Sequence, residues 1–350
     1  MVVEPESLCW AEGRKVARRD GATWAATFAA MPALRSVICD AGTGLSKGLK
    51  LARAARRRDG VTTPLDQTLD VFHTPREGRR APGATWRRAA GAMERAGALD
   101  RVVTRRMRAG RTCKGYGASA AASWRRAERL WDQAAAAEAA WDQARQALAL
   151  FTAEGRLATR PGAEATLAEA MPRLAGPEWA KARRLLARPE ALGFLDLARE
   201  RLAATGLPAE VLAAATELEG LARRPGPADA TTRCRALIRS VQLARSGVEG
   251  RDAVARVRRA LRGAWRASSL VECLNSVARM QQARHREVTQ GLLDLKRLYW
   301  NCRAFRTGRR RGKAPYELLG LDLPTSDWWE LLKIPPERLR HLLSATQITS

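Results

Sequence analysis

The stretch Ser36-Val37-Ile38-Cys39-Asp40-Ala41-Gly42-Thr43-Gly44 decides the fold class of the first part of the chain. Its apolar run with β-branched residues is typical of a short buried strand, and the glycines predict a turn that ends the strand. The basic segment from Leu45 to Arg58 then has the spacing of a helix. We therefore expect Asp40 at the carboxyl end of a strand, where loops build sites in α/β folds. An aspartate that caps a turn before Gly42 is the alternative.

The segments on either side predict a mixed α/β region over residues 1–80. Val2-Val3 opens an apolar stretch, and Thr23 to Phe28 is typical of a short helix that ends near Pro32. Leu69-Asp70-Val71-Phe72-His73 predicts a second strand, in which Asp70 and Phe72 share one face while Val71 and His73 share the other. His73 is either a site residue or a capped core histidine, and its spacing does not choose between the two.

From residue 81 to residue 265 the pattern changes, because strand signals vanish. Ala, Leu, Arg and Glu recur at helical spacing, and glycine and proline interrupt them at intervals. This pattern predicts a helical domain of six to eight helices. Trp124, Trp131 and Trp141 lie along an alanine-rich stretch of it, and we expect them to pack in the core of a bundle.

A single long helix is predicted from Ser268 to Phe305. Ser268 and Ser269 are candidate N-caps, and a carboxylate in the first turn, Glu272, suits the helix dipole. Asn275, Ser276 and Arg279 follow three, four and seven residues later, so all four polar side chains share one face. Such a face is either a functional site or an ordinary solvated face.

Together these patterns predict an α/β core with a large all-α insertion, in a chain that is predominantly α overall. We divide it into residues 1–80 (first part of the core), 81–265 (helical insertion), 266–313 (the helix carrying Glu272, with a basic tail) and 314–350 (a C-terminal segment).

The charge balance favours a polyanionic partner. In 350 residues, 62 Lys and Arg face 36 Asp and Glu, which gives a net charge of +26. Arginine supplies 54 of the cations, and part of this excess is typical of a GC-rich genome. Even with that contribution discounted, the strong positive electrostatic field of the chain favours nucleic acid as the partner.

Composition also excludes several classes of protein. A hydrophobic content of 46% is too high for a disordered basic tail. The chain has no apolar run long enough for a membrane span and no recognisable secretion signal. Its six cysteines form no CxxC pair, which argues against a disulfide framework or a zinc site and favours a reducing cytosol.

Three basic clusters are candidate phosphate contacts. Residues 101–129 hold nine cations against one acid, residues 251–266 hold six against one, and residues 303–313 hold six and no acid. Such clusters predict DNA binding with a steep salt dependence.

Gly42, Gly44 and Gly48 also form a loose dinucleotide-binding pattern after a strand. This alternative is weak, because the chain lacks the repeated β-α units of a doubly wound sheet.

Three parts of the chain carry a family resemblance. They are residues 36–45 with 69–74, residues 269–276 (Ser-Leu-Val-Glu-Cys-Leu-Asn-Ser), and residues 298–303 with 308–316. With the long helical stretch between them, they make the chain similar to a DDE transposase of a bacterial insertion sequence. The resemblance covers nearly the whole chain, and its two ends are more specific than its helical middle.

The resemblance implies a ribonuclease-H-like core with a helical insertion before the last acid. It makes Asp40 the second acid of the catalytic triad and Glu272 the third, both as ligands of two Mg²⁺ or Mn²⁺ ions. Supporting roles fall to Asn275, Arg279, His73 and Asp70. DNA-binding residues would be Arg309, Arg310, Arg311 and Lys313 in the tail, and Arg105 and Arg106 in the insertion.

The implied partner is double-stranded DNA, both transposon ends and target, bound by a possible homodimer in the cytoplasm. No membrane and no small-molecule cofactor is implied.

The family's first acid is an aspartate on a strand that precedes the segment resembling residues 2–10. From the sequence we expect this strand and its aspartate to be missing. Glu4 or Glu6 could substitute, although Pro5 between them cannot donate to a sheet ladder. Two functions follow: a metal-dependent transposase, or a non-catalytic remnant that only binds DNA.

Overall fold

The computed structural model describes residues 1–40, 42–71, 73–224, 226–247, 249–264, 269–284, 287–335 and 337–339. This part of the chain is predominantly helical, as the sequence predicts. It divides into two compact units. The first comprises Met1–Arg35, Gly42–Leu65 and Ala267–Ser350, and the second comprises Ser36–Ala41 and Asp66–Arg266.

The strands are β1 (Val2–Val3), β2 (Trp10–Glu12), β3 (Ser36–Cys39) and β4 (Asp66–Leu69). The α-helices are α1 (Gly21–Ala29), α2 (Thr43–Arg58), α3 (His73–Gly78), α4 (Ala81–Arg108), α5 (Tyr116–Ala147), α6 (Arg160–Ala170), α7 (Ala180–Leu186), α8 (Gly193–Ala203), α9 (Ala209–Ala222), α10 (Ala230–Arg245), α11 (Gly250–Gly263), α12 (Ser269–Arg284), α13 (Gln290–Cys302), α14 (Pro315–Leu318) and α15 (Trp328–Lys333). Short 3₁₀ turns span Met171–Arg173, Pro177–Trp179 and Pro189–Leu192.

In the first unit, glycines allow α1 and α2 to pack closely. A Cβ at Gly44 would lie 2.1 Å from the carbonyl oxygen of Arg19, and one at Gly48 would lie 2.3 Å from the Cβ of Trp24. Any larger residue would separate these backbones. The glycines that resemble a dinucleotide-binding pattern thus have a packing role.

The same unit ties its N-terminal hairpin to its C-terminal helices. β1 and β2 pair antiparallel, and the fully buried Asn301 of α13 hydrogen-bonds to both backbone groups of Trp10. Next to it, Nε1 of Trp300 donates to the carbonyl oxygen of Leu8 at 2.9 Å. The ring of Trp300 therefore has a packing role in this unit.

The second unit contains the parallel pair of strands β3 and β4. Their register runs from Ser36 opposite Asp66 to Cys39 opposite Leu69. The predicted strand over residues 69–73 is thus wrong in position, because β4 ends where its partner β3 ends. Asp70 follows β4, His73 begins α3, and Phe72 lies outside the described residues.

Residues 81–264 of this unit form eight α-helices among those described, α4 to α11, in agreement with the prediction of six to eight. Trp141 and Trp179 are both buried in its main core, with ring centroids 5.7 Å apart. Trp131 departs from the prediction, because 44% of its surface is exposed. Its ring lies 4.7 Å from that of Trp86.

Helices α4 and α5 form a long antiparallel hairpin. Toward its turn the two helices contact each other through small residues, since Ala92, Ala96 and Ala127 form a separate cluster with Met93, Trp124 and Leu130 at its border. Further from the turn, α5 joins the main core through Ala137, Ala140 and Trp141.

The predicted single helix over residues 268–305 is wrong, because it is two helices, α12 and α13. Thr289 begins the second, with its hydroxyl accepting a hydrogen bond from Leu292 N at 3.2 Å. Ser268, a candidate N-cap, lies outside the described residues.

Among the described helices, none combines the length and the apolar character that crossing a bilayer requires.

Candidate functional site

Two aspartates lie next to each other at the carboxyl ends of β3 and β4. Cys39 pairs with Leu69, so the next residues along the two strands are Asp40 and Asp70. The ladder continues into this position, because Asp70 N donates to the carbonyl oxygen of Cys39 at 2.9 Å. Strand spacing then places the two Cα atoms about 4.8 Å apart. The side chain of Asp40 is exposed and therefore accessible to a ligand.

Asp70 has different surroundings from Asp40. It is 2% exposed, and its Oδ2 lies 3.6 Å from Nε2 of His73, three residues later in the first turn of α3. The two residues that the sequence placed on opposite faces of a strand are therefore brought together, because the strand ends before them and a helix begins. The contact between Asp70 and His73 thus links the end of β4, beside Asp40, to the first turn of α3.

The last residue of β3 is a poor nucleophile. Burial raises the pKa of the Cys39 thiol to about 12; the hydrogen bond from Gln67 opposes this shift and the negative charge of Asp40 adds to it. Nε2 of Gln67 lies 3.4 Å from the sulfur. The thiol therefore stays protonated at neutral pH.

The helical region closes one side of this edge. The 3₁₀ turn Pro189–Leu192 and the start of α8 pack against β4, and a Cβ at Gly193 would lie 3.3 Å from the carbonyl oxygen of Gln67. Arg188 and Glu190 are near enough to act electrostatically on Cys39. Sequence reasoning missed both residues, since nothing local in residues 188–190 indicates that they face a strand about 150 residues earlier.

Glu272 lies in the first turn of α12 and is exposed. Ser276 and Arg279 are exposed as well, Asn275 is half-buried, and Leu274 is buried. The hydroxyl of Ser276 donates to the carbonyl oxygen of Cys273 at 2.7 Å.

Asp40 belongs to the second compact unit and Glu272 to the first.

The basic tail has one member with a structural role. Nε of Arg310 donates to the carbonyl oxygen of Glu6 at 2.7 Å, and Nη2 donates to that of Pro5 at 2.8 Å. Its guanidinium thus fastens the N-terminal segment. Arg309, Arg311 and Lys313 are exposed around it.

In the insertion, one of the two predicted DNA-binding arginines has a structural role and the other is exposed. Arg105 is exposed, whereas Nε of Arg106 donates to the carbonyl oxygen of Thr112 at 2.9 Å and its guanidinium lies 4.5 Å above the ring of Tyr116. Arg106 therefore holds the turn between α4 and α5 in place, and Arg105 is left on its surface.

Sequence reasoning also missed Met107 and Tyr116, which are exposed among these cations. The sequence did hold one indication of this surface. No Asp or Glu occurs between residues 101 and 127, so the hairpin turn carries only positive charge.

Within the described ranges, no three His, Cys, Asp or Glu side chains gather into a group that could hold a metal ion. Comparison of the chain with protein-family models, with curated proteins and with solved structures finds no match.

Proposed function

We propose that this chain is a DDE transposase with a ribonuclease-H-like core, which binds double-stranded DNA and cleaves and joins it with Asp40 and Glu272. The observation that carries the proposal is the position of Asp40, an exposed carboxylate at the carboxyl end of a parallel strand with Asp70 beside it. In chain order, β3, α2 and β4 form the strand–helix–strand sequence of an α/β core. Glu272 is exposed on a helix of its own after the helical insertion, as this fold requires.

The two carboxylates suit divalent cations. Mg²⁺ and Mn²⁺ prefer hard oxygen ligands, and the exposed carboxylates of Asp40 and Glu272 are ligands of this kind. When bound, such ions would activate a water or a DNA 3′-hydroxyl and stabilise the leaving oxygen. Asp70 and His73 position the edge of β4 beside Asp40, and Asn275 and Arg279 share the helix face of Glu272.

The test is cleavage of labelled duplexes taken from the DNA that flanks the coding region, with Mg²⁺ or Mn²⁺. We expect nicking or strand transfer that Asp40→Asn and Glu272→Gln each reduce by about 10³-fold or more, a typical cost for loss of a catalytic group. Asp59→Asn and Glu210→Gln are the matched controls. Both are exposed, and Glu210 also lies in the first turn of a helix, so cleavage should be unchanged in them.

Binding without cleavage, unaffected by these substitutions, would overturn the catalytic part and leave a DNA-binding protein. That second function has its own support in the basic surfaces of the helical unit. Cleavage that persists in both acid variants would move the chemistry to other residues.

A further inference from the structure

The turn of the α4–α5 hairpin concentrates positive charge on one short surface, which we name the hairpin tip and define as residues 101–116. It carries six cations and no acid: Arg101, Arg105, Arg106, Arg108, Arg111 and Lys114. Closer to the core, the same hairpin is mixed in sign, with Glu138 bonded to Trp86 and Asp142 paired with Arg145. The charge at the tip is therefore not a property of the whole hairpin.

Five of the six cations at the tip are available to a ligand. Arg101, Arg105, Arg108, Arg111 and Lys114 are exposed, and none forms a side-chain hydrogen bond or ion pair with any residue that the structure describes. Arg101, Arg105 and Arg108 are spaced four and three apart, so they share one face of α4. A helix C-terminus attracts cations, but a whole exposed row exceeds what the last turn of α4 can use.

The tip also exposes apolar side chains among these cations. Met107 has 66% of its surface exposed, more than any other large hydrophobic residue described, and Tyr116 has 41%. Met107 lies four residues after Val103, on the α4 face that packs against α5 through Ala92 and Ala96. It thus continues the packing face beyond the point where α5 covers it. Most of this apolar side chain is therefore open to a partner.

The backbone of the tip is held firmly despite this exposure. Arg106 bonds to Thr112 O and covers Tyr116, and the Cys113 thiol lies 3.7 Å from the carbonyl oxygen of Val103. A fixed turn presents its cations and Met107 in one arrangement, which lowers the entropy cost of binding.

We propose that the hairpin tip enters a groove of double-stranded DNA, with its five exposed cations on the phosphates and Met107 against the base steps. Basic residues that flank an inserted apolar side chain are a known way to bind and kink a duplex through its minor groove. This inference deepens the proposed function, on which it rests, because it names the surface that grips the DNA.

The main test compares two triple variants with the same loss of charge. Arg105→Ala/Arg108→Ala/Arg111→Ala removes tip cations, and Arg184→Ala/Arg199→Ala/Arg245→Ala removes exposed arginines from α7, α8 and α10. Binding to a fluorescein-labelled 30-base-pair duplex is followed by anisotropy at several KCl concentrations. We expect the tip variant to bind about 10- to 100-fold more weakly at 0.1 M salt, with a salt slope shallower by about three, and the control to keep its slope.

Met107→Ala separates the apolar contact from the charge. We expect it to weaken binding about three- to tenfold with the salt slope unchanged, whereas Leu237→Ala, which removes a side chain that is 65% exposed on α10, should have no effect.

A chemical probe locates the tip directly. Fe-EDTA coupled to Cys113 in the Cys234→Ser/Cys273→Ser chain should cut bound DNA at one position, and the same reagent on Cys234 in a Cys113→Ser/Cys273→Ser chain should not.

The outcomes separate the two proposals. If the unaltered chain binds no duplex, the proposed function fails at its DNA-binding step. If it binds but the two triple variants lose affinity equally, only the assignment of the hairpin tip as the DNA-binding surface is wrong. Equal competition by duplex RNA of the same length would overturn the assignment of DNA as the partner.

Discussion

A single buried amide, Asn301, holds together segments that are almost the whole chain apart. Its Oδ1 accepts from Trp10 N at 2.8 Å and its Nδ2 donates to Trp10 O at 3.1 Å, across 291 residues. Because Asn301 is fully buried, its amide makes both bonds away from solvent. The residue therefore stabilises the pairing of the N-terminal hairpin with α13.

We predict that Asn301→Ala lowers the free energy of unfolding by about 3 kcal/mol, because it leaves a buried backbone N–H and C=O without partners. Urea unfolding followed by circular dichroism measures the change. Gln146→Ala, which removes an exposed amide in α5, should change stability by about 0.5 kcal/mol or less. Equal losses in the two variants would show that the amide of Asn301 has no special role.

Helix α9 shows how an element can carry buried charge. Glu217 is buried and paired with Arg235 and Arg239 of α10, while Glu219 is paired with Arg223, which directly follows α9, and with Arg258 of α11. Each carboxylate is thus shared between two guanidinium groups. These four arginines are part of the basic excess but serve the packing of three helices.

This arrangement predicts a dependence of stability on pH. Burial would raise the pKa of Glu217, but the hydrogen bonds from Arg235 and Arg239 outweigh burial and lower it below the ordinary 4.5. A carboxyl with a lowered folded-state pKa stabilises the fold above its unfolded pKa, and this contribution is lost as the pH falls through the folded value. The unfolding free energy should therefore decline below about pH 4.5.

Glu217→Gln should cost about 2 kcal/mol at pH 7, because it leaves two guanidinium groups without their charged partner. It should cost progressively less as the pH falls, so the gap between the variant and the unaltered chain narrows. Glu200→Gln, an exposed change on α8, serves as the control. Stability curves for Glu217→Gln and the unaltered chain that stay parallel from pH 7 to pH 3 would contradict the prediction.

At the scale of the whole molecule, net charge opposes the folded state. With 62 cations against 36 acids, the net charge of +26 makes like charges repel one another across the folded chain. Salt screens both this repulsion and the attraction within ion pairs, but the repulsion acts over longer distances and is screened first.

We therefore predict that raising KCl from about 20 mM to about 300 mM increases the Tm by several degrees, since the Debye length falls below the spacing of most surface charges. Differential scanning calorimetry without DNA measures this. Sodium sulfate at matched ionic strength distinguishes screening, which depends on ionic strength alone, from binding of a specific anion. A Tm that falls with added KCl would mean that ion pairs dominate the electrostatics.

The sequence by itself determined the features that depend on near neighbours. The strand β3, the basic helix α2, the helical region after residue 81 and the position of Asp40 after its strand all follow from local periodicity and turn residues. They could be predicted because hydrophobic spacing and capping act over about four residues.

Only the tertiary structure decided the features that join distant segments. The sequence pattern placed the second strand at residues 69–73, whereas β4 ends at Leu69, because its length is set by pairing with β3. The pattern therefore also put Asp70 and His73 on opposite faces of a strand, although the folded chain brings them together. The neighbours of Cys39 on residues 188–190 and the bond of Asn301 to Trp10 had no local signal either. Strand register and buried hydrogen bonds depend on partners that the chain brings together only on folding, and no pattern within a few residues encodes them.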